Sequence, residues 1–264
     1  MTRIISKSMS GILEDLELDA QDYVTLSMLE ELARKHGVNT NPSMIAQRLK
    51  KNGWLLPTTQ RGVWEFAPAS RAGAFSRNDP LKDIIAFTMV NPDTRCFLCL
   101  QTAAWALGLA DRIPSCKELA FSVAPKNRIP DGISVFRYNP TIQTKIINGV
   151  NCLAPESIIV HLATKPQTVS SWDSTMEWIP DVVYEIDIDK LMKELSNRND
   201  SIKRRTGYLL QGMYPKAADV IQNNVTIKSK IRFGPRTAAI RNDERWMIAD
   251  TILPLSPKEM EFVK

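Results

Sequence analysis

The sequence contains few of the residues and motifs on which catalysis commonly depends. It has only two histidines, His36 near the end of a predicted helix and His161 inside a predicted apolar helix. Such positions favour a contact with the helix terminus for His36 and a place in or beside the core for His161. The sequence also has no P-loop, no Gly-x-Gly-x-x-Gly motif and no Gly-x-Ser-x-Gly nucleophile elbow. We therefore expect a protein that is not an enzyme and that binds no cofactor.

Cysteines are also few, and their spacing does not suit a metal site. Cys96 and Cys99 form a Cys-x-x-Cys pair, whereas Cys116 and Cys152 stand alone in the sequence. A structural zinc site usually takes two such pairs, and a thioredoxin-like site normally has small residues or proline between its cysteines. We interpret the cysteines as buried free thiols in a reducing compartment and predict no metal, with zinc binding and redox sensing as the alternatives.

Long apolar runs are absent as well. No stretch of about 18 apolar residues occurs, which is close to the length that a helix needs to cross a membrane. The N-terminal sequence MTRIISKSMSG lacks the apolar segment of a signal peptide. These features predict a cytoplasmic protein with no membrane span. A chain of 264 residues that is 44% hydrophobic is long enough for two domains with sizeable cores.

The stretch from Asn41 to Phe66 has the pattern of a short helix followed by a β-hairpin. Asn41 can cap the helix, and Pro42 suits its first position because the missing N–H costs nothing there. Gly53 supplies the left-handed residue that ends the helix. An apolar run, a turn and the period-two alternation of Val63–Phe66 then predict two strands, with Arg61 at the tip between them.

Two more helices are predicted before this stretch. One covers about Met9 to Leu18, and the other starts at a cap provided by Thr25 or Ser27 and ends near His36. Helix, turn, helix and hairpin in this order are typical of a winged helix-turn-helix, which places a helix in the major groove of DNA. The apolar residues expected to face the core from its second and third helices are Leu26, Leu29, Leu32, Ala33, Met44, Ile45 and Leu49.

Positive charge is concentrated in the same region. From Arg34 to Arg77 there are eight basic residues and a single acidic one, Glu65. Basic side chains that neutralise phosphates release counterions, which favours binding to nucleic acid over an ordinary solvated surface. We predict DNA binding, with base edges contacted by Ser43, Gln47 and Arg48, and phosphates contacted by Lys50, Lys51 and Arg61.

Small residues and a proline at 67–74 indicate a linker after the hairpin. We therefore expect an α+β fold in which residues 1–78 form the winged helix-turn-helix with its linker and 79–264 form a larger, mixed α/β domain. Asn148-Gly149 predicts a hairpin in the second domain. The other predicted elements there are helices at 81–90, 98–109 and 155–163, and strands at 118–123 and 133–138.

Three motifs along the chain resemble those of one protein family. NGWL at 52–55, followed by RGVW at 61–64, is similar to the "SGWL … rGxY" signature of AbiEi-type proteins. The helix QTAAWALGL at 101–109 is similar to that family's helix ending in "AAxxLGL", and RRTGYLL at 204–210 to its "RRxGYLL" segment. The resemblance runs from about residue 10 to about residue 250. Asn52 and Trp64 depart from the commoner Ser and Tyr.

The resemblance implies an antitoxin and transcriptional regulator of a bacterial type IV toxin–antitoxin, or abortive-infection, system. It implies binding to operator DNA with inverted repeats upstream of the protein's own operon, and hence negative autoregulation. It also implies a nucleotidyltransferase-like toxin encoded beside this protein, which such antitoxins need not hold in a stable complex. The C-terminal domain would supply the antitoxin activity, and we place Arg204, Arg205 and Tyr208 on that surface or in support of it.

A second basic segment follows an acidic one. Residues 172–194 are rich in Asp and Glu, whereas the segment from Arg198 to Arg245 has eleven basic and four acidic residues. The basic segment either pairs with the acidic stretch within the molecule or contacts the toxin or DNA. We expect Asp187 or Asp189 to cap one helix and Ser201 the next, with Arg204 facing outward.

Two other functions stay open on the sequence. One is a stand-alone winged-helix regulator whose C-terminal domain senses a ligand. The other is a metal-dependent nuclease that uses Asp181, Glu185, Asp187 and Asp189, although Lys190, which should accompany them, is out of register. Apolar and polar residues alternate in the segment 182–188, which is typical of a strand with one solvent-exposed face.

Overall fold

The computed structural model describes residues 7–19, 22–70 and 76–260. Contacts group the described residues up to Thr94, together with Pro125–Asp131, into a first compact unit, and the remaining described residues into a second. Each unit contains both helices and sheets, so the fold is mixed α+β. The sequence placed the division near residue 78, but the helix after it groups with the first unit, where Asp83 accepts a hydrogen bond from Thr59 Oγ1 at 2.9 Å.

The described residues of the first unit form four helices and a three-stranded antiparallel sheet with the strand order β1-β3-β2. Its elements are α1 (Lys7–Leu18), β1 (Tyr23–Thr25), α2 (Leu26–Lys35), α3 (Pro42–Lys51), β2 (Leu55–Pro57), β3 (Val63–Phe66) and α4 (Lys82–Val90).

Local capping interactions fix the start of α2 and of α3, as the sequence predicted. Thr25 Oγ1 accepts a hydrogen bond from Met28 N at 3.2 Å, which identifies Thr25 as the cap of α2. Asn41 Oδ1 accepts one from Ser43 N at 2.9 Å, with Pro42 at the first helical position. Gly53 follows α3 with a φ of 76°, a conformation that costs glycine little.

The core of the first unit lies between α1, α2, α3 and the sheet, and includes Leu29, Ile45, Leu49 and Phe66. Two residues that the sequence placed in it are not buried, since Leu26 is 37% and Met44 is 49% exposed. Met44 is about 100° around the helix from Ile45, and Ala46 completes the buried face of α3 instead.

The second unit contains a five-stranded mixed sheet with the order β6-β5-β4-β8-β7, a three-stranded sheet with the order β10-β11-β9, and six helices among its described residues. Its strands are β4 (Cys96–Leu98), β5 (Lys117–Phe121), β6 (Ile133–Arg137), β7 (Lys145–Ile147), β8 (Val150–Cys152), β9 (Ile231–Phe233), β10 (Arg241–Asp243) and β11 (Ile248–Asp250). Its helices are α5 (Leu100–Ala106), α6 (Pro155–Thr164), α7 (Trp172–Tyr184), α8 (Ile188–Leu195), α9 (Asp200–Leu210) and α10 (Pro215–Asn223).

Helix α6 lies at the centre of the second unit, because every residue from 155 to 163 is buried. His161 on this helix stacks on the ring of Tyr138, with a centroid distance of 4.5 Å. Burial lowers the pKa of His161 to about 3, so the ring is neutral at physiological pH. The prediction of a core histidine is therefore confirmed.

Three predictions in the second unit are wrong in part or in whole. The helix expected at 98–109 begins only at Leu100, because Cys96–Leu98 form a central strand of the sheet. The strand expected at 182–188 is the end of α7 and the start of α8. The cap of α9 is Asn199, whose Oδ1 accepts a hydrogen bond from Ile202 N at 3.0 Å, and not Ser201.

Two other local predictions are confirmed. Asn148 and Gly149 both have a positive φ, 49° and 78°, in the tight turn between β7 and β8. Asp187 Oδ1 accepts a hydrogen bond from Lys190 N at 3.0 Å and caps α8. None of the helices in the described part of the chain has the length and apolar character needed to span a membrane.

Candidate nucleic-acid interface

Four of the six residues predicted to bind DNA line a single groove in the first unit, which has a volume of about 520 Å³. Ser43, Gln47 and Lys50 follow one another along α3 at the spacing of one helical face, and all three are exposed. Arg61 also lines the groove and is exposed, in the turn between β2 and β3. The groove therefore lies between a helix and a hairpin tip.

The turn that carries Arg61 is held in place by hydrogen bonds. Thr58 Oγ1 donates to Val63 O at 2.8 Å and accepts from Gln60 N at 3.2 Å. Gly62 has a φ of 83°, which the turn requires and other residues rarely adopt. Leu26 N donates to Gly62 O at 3.1 Å, so the hairpin is also attached to the start of α2.

The other two predicted residues, Arg48 and Lys51, are exposed on the neighbouring face of α3. They share that face with Met44, at spacings of four and three residues, and they do not line the groove. The cationic surface of α3 is therefore wider than the groove itself.

No acidic residue lines the groove among the described residues of this unit. Glu65, the single acid of the basic segment, is only 4% exposed. Its carboxylate accepts hydrogen bonds from Ser76 Oγ at 2.7 Å and from Arg77 N at 2.6 Å. The carboxylate is thus turned inward, and the positive potential of the exposed cations is not cancelled from within the groove.

Sequence reasoning missed the apolar floor of the groove. Leu26 and Trp64 line it together with Ala46. The helical period of α2 had placed Leu26 in the core, whereas its position at the start of the helix leaves it 37% exposed beside the groove.

Arg204, Arg205 and Tyr208 do not form a common surface in the second unit. Arg204 was expected to face outward but is only 3% exposed. Its guanidinium donates to backbone carbonyls, at 2.8 Å to Ser229 O and at 2.7 Å to Met247 O, and also to Trp246 O. A guanidinium that satisfies several carbonyls is stable inside a protein without a carboxylate partner.

Tyr208 is buried as well, and its hydroxyl donates to Asp250 Oδ2 at 2.9 Å. Burial and the neighbouring carboxylate of Asp250 raise the pKa of Tyr208 well above its usual value. Arg241 Nη1 also donates to Asp250 Oδ2, at 2.7 Å. Arg204 and Tyr208 therefore attach α9 to the three-stranded sheet from inside.

Arg205 differs from its neighbours because it reaches the edge of a cleft beside β9. Its Nε donates to Arg232 O at 2.8 Å, and burial lowers the pKa of its guanidinium. Of the three residues, Arg205 lines this cleft and Arg204 and Tyr208 do not.

Three of the four cysteines agree with their interpretation as buried free thiols, and the prediction is wrong for Cys116, which is exposed. Cys96, Cys99 and Cys152 are buried and Cys116 is exposed, and all four are unpaired. Burial raises the pKa of Cys96 to about 11 and that of Cys152 to about 12, which keeps both protonated. In the described part of the chain, no group of three or more His, Cys, Asp or Glu residues is placed to hold a metal ion.

The acidic stretch 172–194 contributes little to neutralising the basic segment. Among the described residues, its one salt bridge with that segment joins Glu194 and Arg198 at 2.7 Å. Asp181 and Asp187 lie on or beside helices α7 and α8 rather than along one strand edge. Pairing between the two segments is therefore confined to one ion pair.

Comparison with solved structures defines the class of the fold. The chain is similar to the crystal structure of the RV2827C protein from Mycobacterium tuberculosis, with a TM-score of 0.73 and 23% sequence identity over 96% of this chain and 94% of that chain. At this identity the likeness establishes a shared mixed α+β fold. No curated protein gives a significant match to the sequence.

The family of the second unit is identified by a separate comparison. Residues 97–212 match the family model described as the AbiEi antitoxin C-terminal domain. The match supports an AbiEi-type antitoxin family for this part of the chain. The motifs at 101–109 and 204–210 lie within the match, so the family that they predicted is confirmed.

Proposed function

We propose that the protein is a transcriptional autoregulator and antitoxin of a type IV toxin–antitoxin system, and that residues 1–78 form a winged helix-turn-helix. In this proposal α2 and α3 form the helix-turn-helix, and the hairpin of β2 and β3 is the wing. The observation that carries the DNA-binding part is the groove in which Ser43, Gln47 and Lys50 face Arg61.

The chemistry of the groove supports a duplex ligand. Ser43 and Gln47 carry the donors and acceptors needed to contact base edges, and Lys50 and Arg61 can contact the phosphates beside them. Arg48 and Lys51 extend the cationic surface, Arg48 as a further base-reading side chain and Lys51 as a phosphate contact. The apolar side chains of Leu26 and Trp64 suit the thymine methyl group or the sugar surface.

The antitoxin part of the proposal is supported by the AbiEi match and not by the groove. We propose that residues 79–264 counteract a nucleotidyltransferase-like toxin encoded beside this protein, with or without a stable complex. Arg204 and Tyr208 would act by holding α9 in place, because both are buried. Operator DNA with inverted repeats upstream of the shared operon is the proposed DNA ligand.

The DNA-binding part is tested by measuring the affinity for the upstream DNA at several salt concentrations. We expect Gln47→Ala to cost about 1–3 kcal/mol on the preferred sequence and to relax specificity at one position. We expect Lys50→Ala to weaken all sequences alike and to reduce the slope of log affinity against log salt by about one.

Lys35→Ala is the matched control, because Lys35 is a cation of the same unit whose charge is already paired with Asp15 at 2.7 Å. It should bind like the wild type. If Gln47→Ala and Lys50→Ala also bound like the wild type at every salt concentration, α3 would not be the DNA-reading helix.

A further inference from the structure

A cationic cleft of about 870 Å³ lies beside β9 in the second unit. One wall is formed by the loop that leads from β9 to β10, at 234–239, and the other includes the end of Arg205 from α9. The charged residues of the lining are all basic, namely Arg205, Lys230, Arg232 and Arg236. The DNA-binding and antitoxin roles proposed above do not involve Lys230, Arg232 or Arg236.

These cations lack the counter-charges that other arginines of the same unit have. Arg241 is paired with Asp250 at 2.7 Å, and Arg245 with Asp219 at 2.5 Å. By contrast, none of the four cleft cations forms a salt bridge with a carboxylate within residues 7–19, 22–70 and 76–260. Like charges in one concave space repel each other, so the cluster does not stabilise the fold and would attract an anion.

The loop 234–239, which forms one wall of the cleft, is held in place by close packing and a hydrogen bond. Gly234 has a φ of 115°, and a Cβ atom there would lie 2.5 Å from Thr251 Oγ1, so the loop packs directly against the residue after β11. Thr251 Oγ1 donates to Pro235 O at 3.0 Å. The backbone that presents Arg236 is therefore held against the sheet before any ligand binds.

The size and lining of the cleft decide which anion fits. Its volume is in the range of sites for small ligands, about 300–1,000 Å³. Arginine forks match the geometry of phosphate oxygens. No described residue of the lining is aromatic, whereas proteins that bind single-stranded nucleic acid usually stack bases on aromatic rings. The lining therefore suits phosphate groups and not bases.

We propose that this cleft binds the polyphosphate group of a small molecule, such as a nucleoside triphosphate, through its phosphates and without selecting the base. Arg205 and Arg232 contact the phosphates from the side of α9 and β9, and Lys230 and Arg236 contact them from the rim. The site belongs to the second unit and α3 to the first, and its occupancy requires no DNA.

The test is calorimetric titration of the full-length protein with inorganic tripolyphosphate, two nucleoside triphosphates with different bases, orthophosphate and adenosine. We expect tripolyphosphate and both nucleotides to bind with affinities within about threefold of each other, orthophosphate to bind more weakly and adenosine not to bind. Lys230→Gln and Arg236→Gln should each weaken tripolyphosphate binding about tenfold or more, because each removes a charged hydrogen bond.

Lys216→Gln is the matched control, because Lys216 is an exposed cation of the same unit outside the cleft. It should bind tripolyphosphate like the wild type, and Lys230→Arg should restore most of the affinity that Lys230→Gln loses. Thermal unfolding checks that the exposed positions 230 and 236 can be changed without loss of the fold.

Three results would overturn the proposal: no tripolyphosphate binding by the wild type at millimolar concentration, equal losses in the Lys216 control, or strong selection of one base. If the cleft variants lost operator affinity while the wild type bound no polyphosphate, the cleft would be part of a nucleic-acid surface instead. Lys50→Ala should leave tripolyphosphate binding unchanged, which separates failure of this proposal from failure of the DNA-binding proposal.

Discussion

Glu118 on β5 is a carboxylate placed inside the second unit, with only 5% of its surface exposed. Its Oε2 accepts a hydrogen bond from Thr102 N at 3.1 Å, and its own N–H donates to Thr102 Oγ1 at 2.8 Å. Burial raises the pKa of Glu118 to about 7, although the hydrogen bonds from the backbone of Thr102 and Gln101 act in the opposite direction. The folded protein therefore takes up a proton in a range where the unfolded chain does not.

The stability of the protein should consequently fall as the pH rises from about 4.5 to about 7. The unfolded carboxyl loses its proton near 4.5 and the folded one near 7, so the contribution is complete below 4.5 and is lost as the pH passes 7. The difference corresponds to roughly 3 kcal/mol. Urea unfolding at pH 5 to 8 should show this loss in the wild type relative to Glu118→Gln, whose carboxamide oxygen can accept the same hydrogen bond.

Glu177→Gln, at an exposed position of α7, is the control and should keep the pH dependence of the wild type. A Glu118→Gln protein whose stability followed the wild type at every pH would mean that folding does not raise the pKa of Glu118.

At the residue scale, the sequence predicted the interactions that are local. The caps Thr25, Asn41 and Asp187 bond backbone N–H groups two or three positions away, so the residue type and its neighbours are sufficient evidence. Arg204 was mispredicted because its partners are carbonyls of Ser229 and Trp246, 25 and 42 positions away. The charge of an arginine predicts an exposed side chain. Only the tertiary structure shows that these carbonyls lie next to Arg204 and accept hydrogen bonds from it.

At the scale of elements, one glycine sets the packing of α9 in the second unit. A Cβ atom on Gly207 would lie 2.5 Å from Cζ2 and 2.6 Å from Cζ3 of Trp246, and nearest of all to Cη2. Trp246 itself is fully buried. The glycine of the RRTGYLL segment is thus explained by close contact between a helix and an indole ring.

We expect Gly207→Ala to destabilise the protein although alanine is the better helix former. The gain in helix propensity is about 1 kcal/mol, whereas overpacking against a ring that cannot move costs about 1–3 kcal/mol or more. Urea unfolding should therefore show a net loss. In a Trp246→Leu background, where the ring is absent, the same substitution should cost less or become favourable. An equal cost in both backgrounds would show that the indole is not the cause.

The sequence predicted most helices and strands correctly, but it failed for the end of α7 and for the exposure of Leu26. The hairpin at Asn148-Gly149 and the helix after Pro155 follow from turn and cap residues. The end of α7 was taken for a strand because α7 buries Val182 and Val183 next to exposed Tyr184, a short run in which helical and strand periods look alike. The helical period of α2 predicted that Leu26 is buried in the core. The apolar lining of the groove in the first unit was therefore not predicted.

At the scale of the whole molecule, the two proposed roles map to different parts of the chain. The six candidate DNA-binding residues lie between positions 43 and 61, and the AbiEi match begins at residue 97. The charge distribution and the motifs predicted the order of these parts along the chain. They could not give the grouping of α4 with the first unit, which depends on tertiary contacts.

Repression and protection should therefore be separable. Lys50→Glu places a negative charge in the groove, so we expect a reporter behind the protein's own promoter to be derepressed. When the variant is expressed from an unrelated promoter together with the neighbouring toxin gene, growth protection should equal that of the wild type. Simultaneous loss of both activities, in a variant with unchanged thermal unfolding, would mean that the groove also serves the antitoxin.

The backbone hydrogen bond from Leu26 N to Gly62 O has a mechanical consequence for any duplex bound as proposed. Because the hairpin tip is fastened to the start of α2, the distance between the tip and the helical pair is nearly constant. A duplex whose phosphates lie at a different distance from the bases read by α3 therefore has to bend or twist to reach Arg61. Sequence preference at base pairs that the protein never touches would then arise from the flexibility of the DNA.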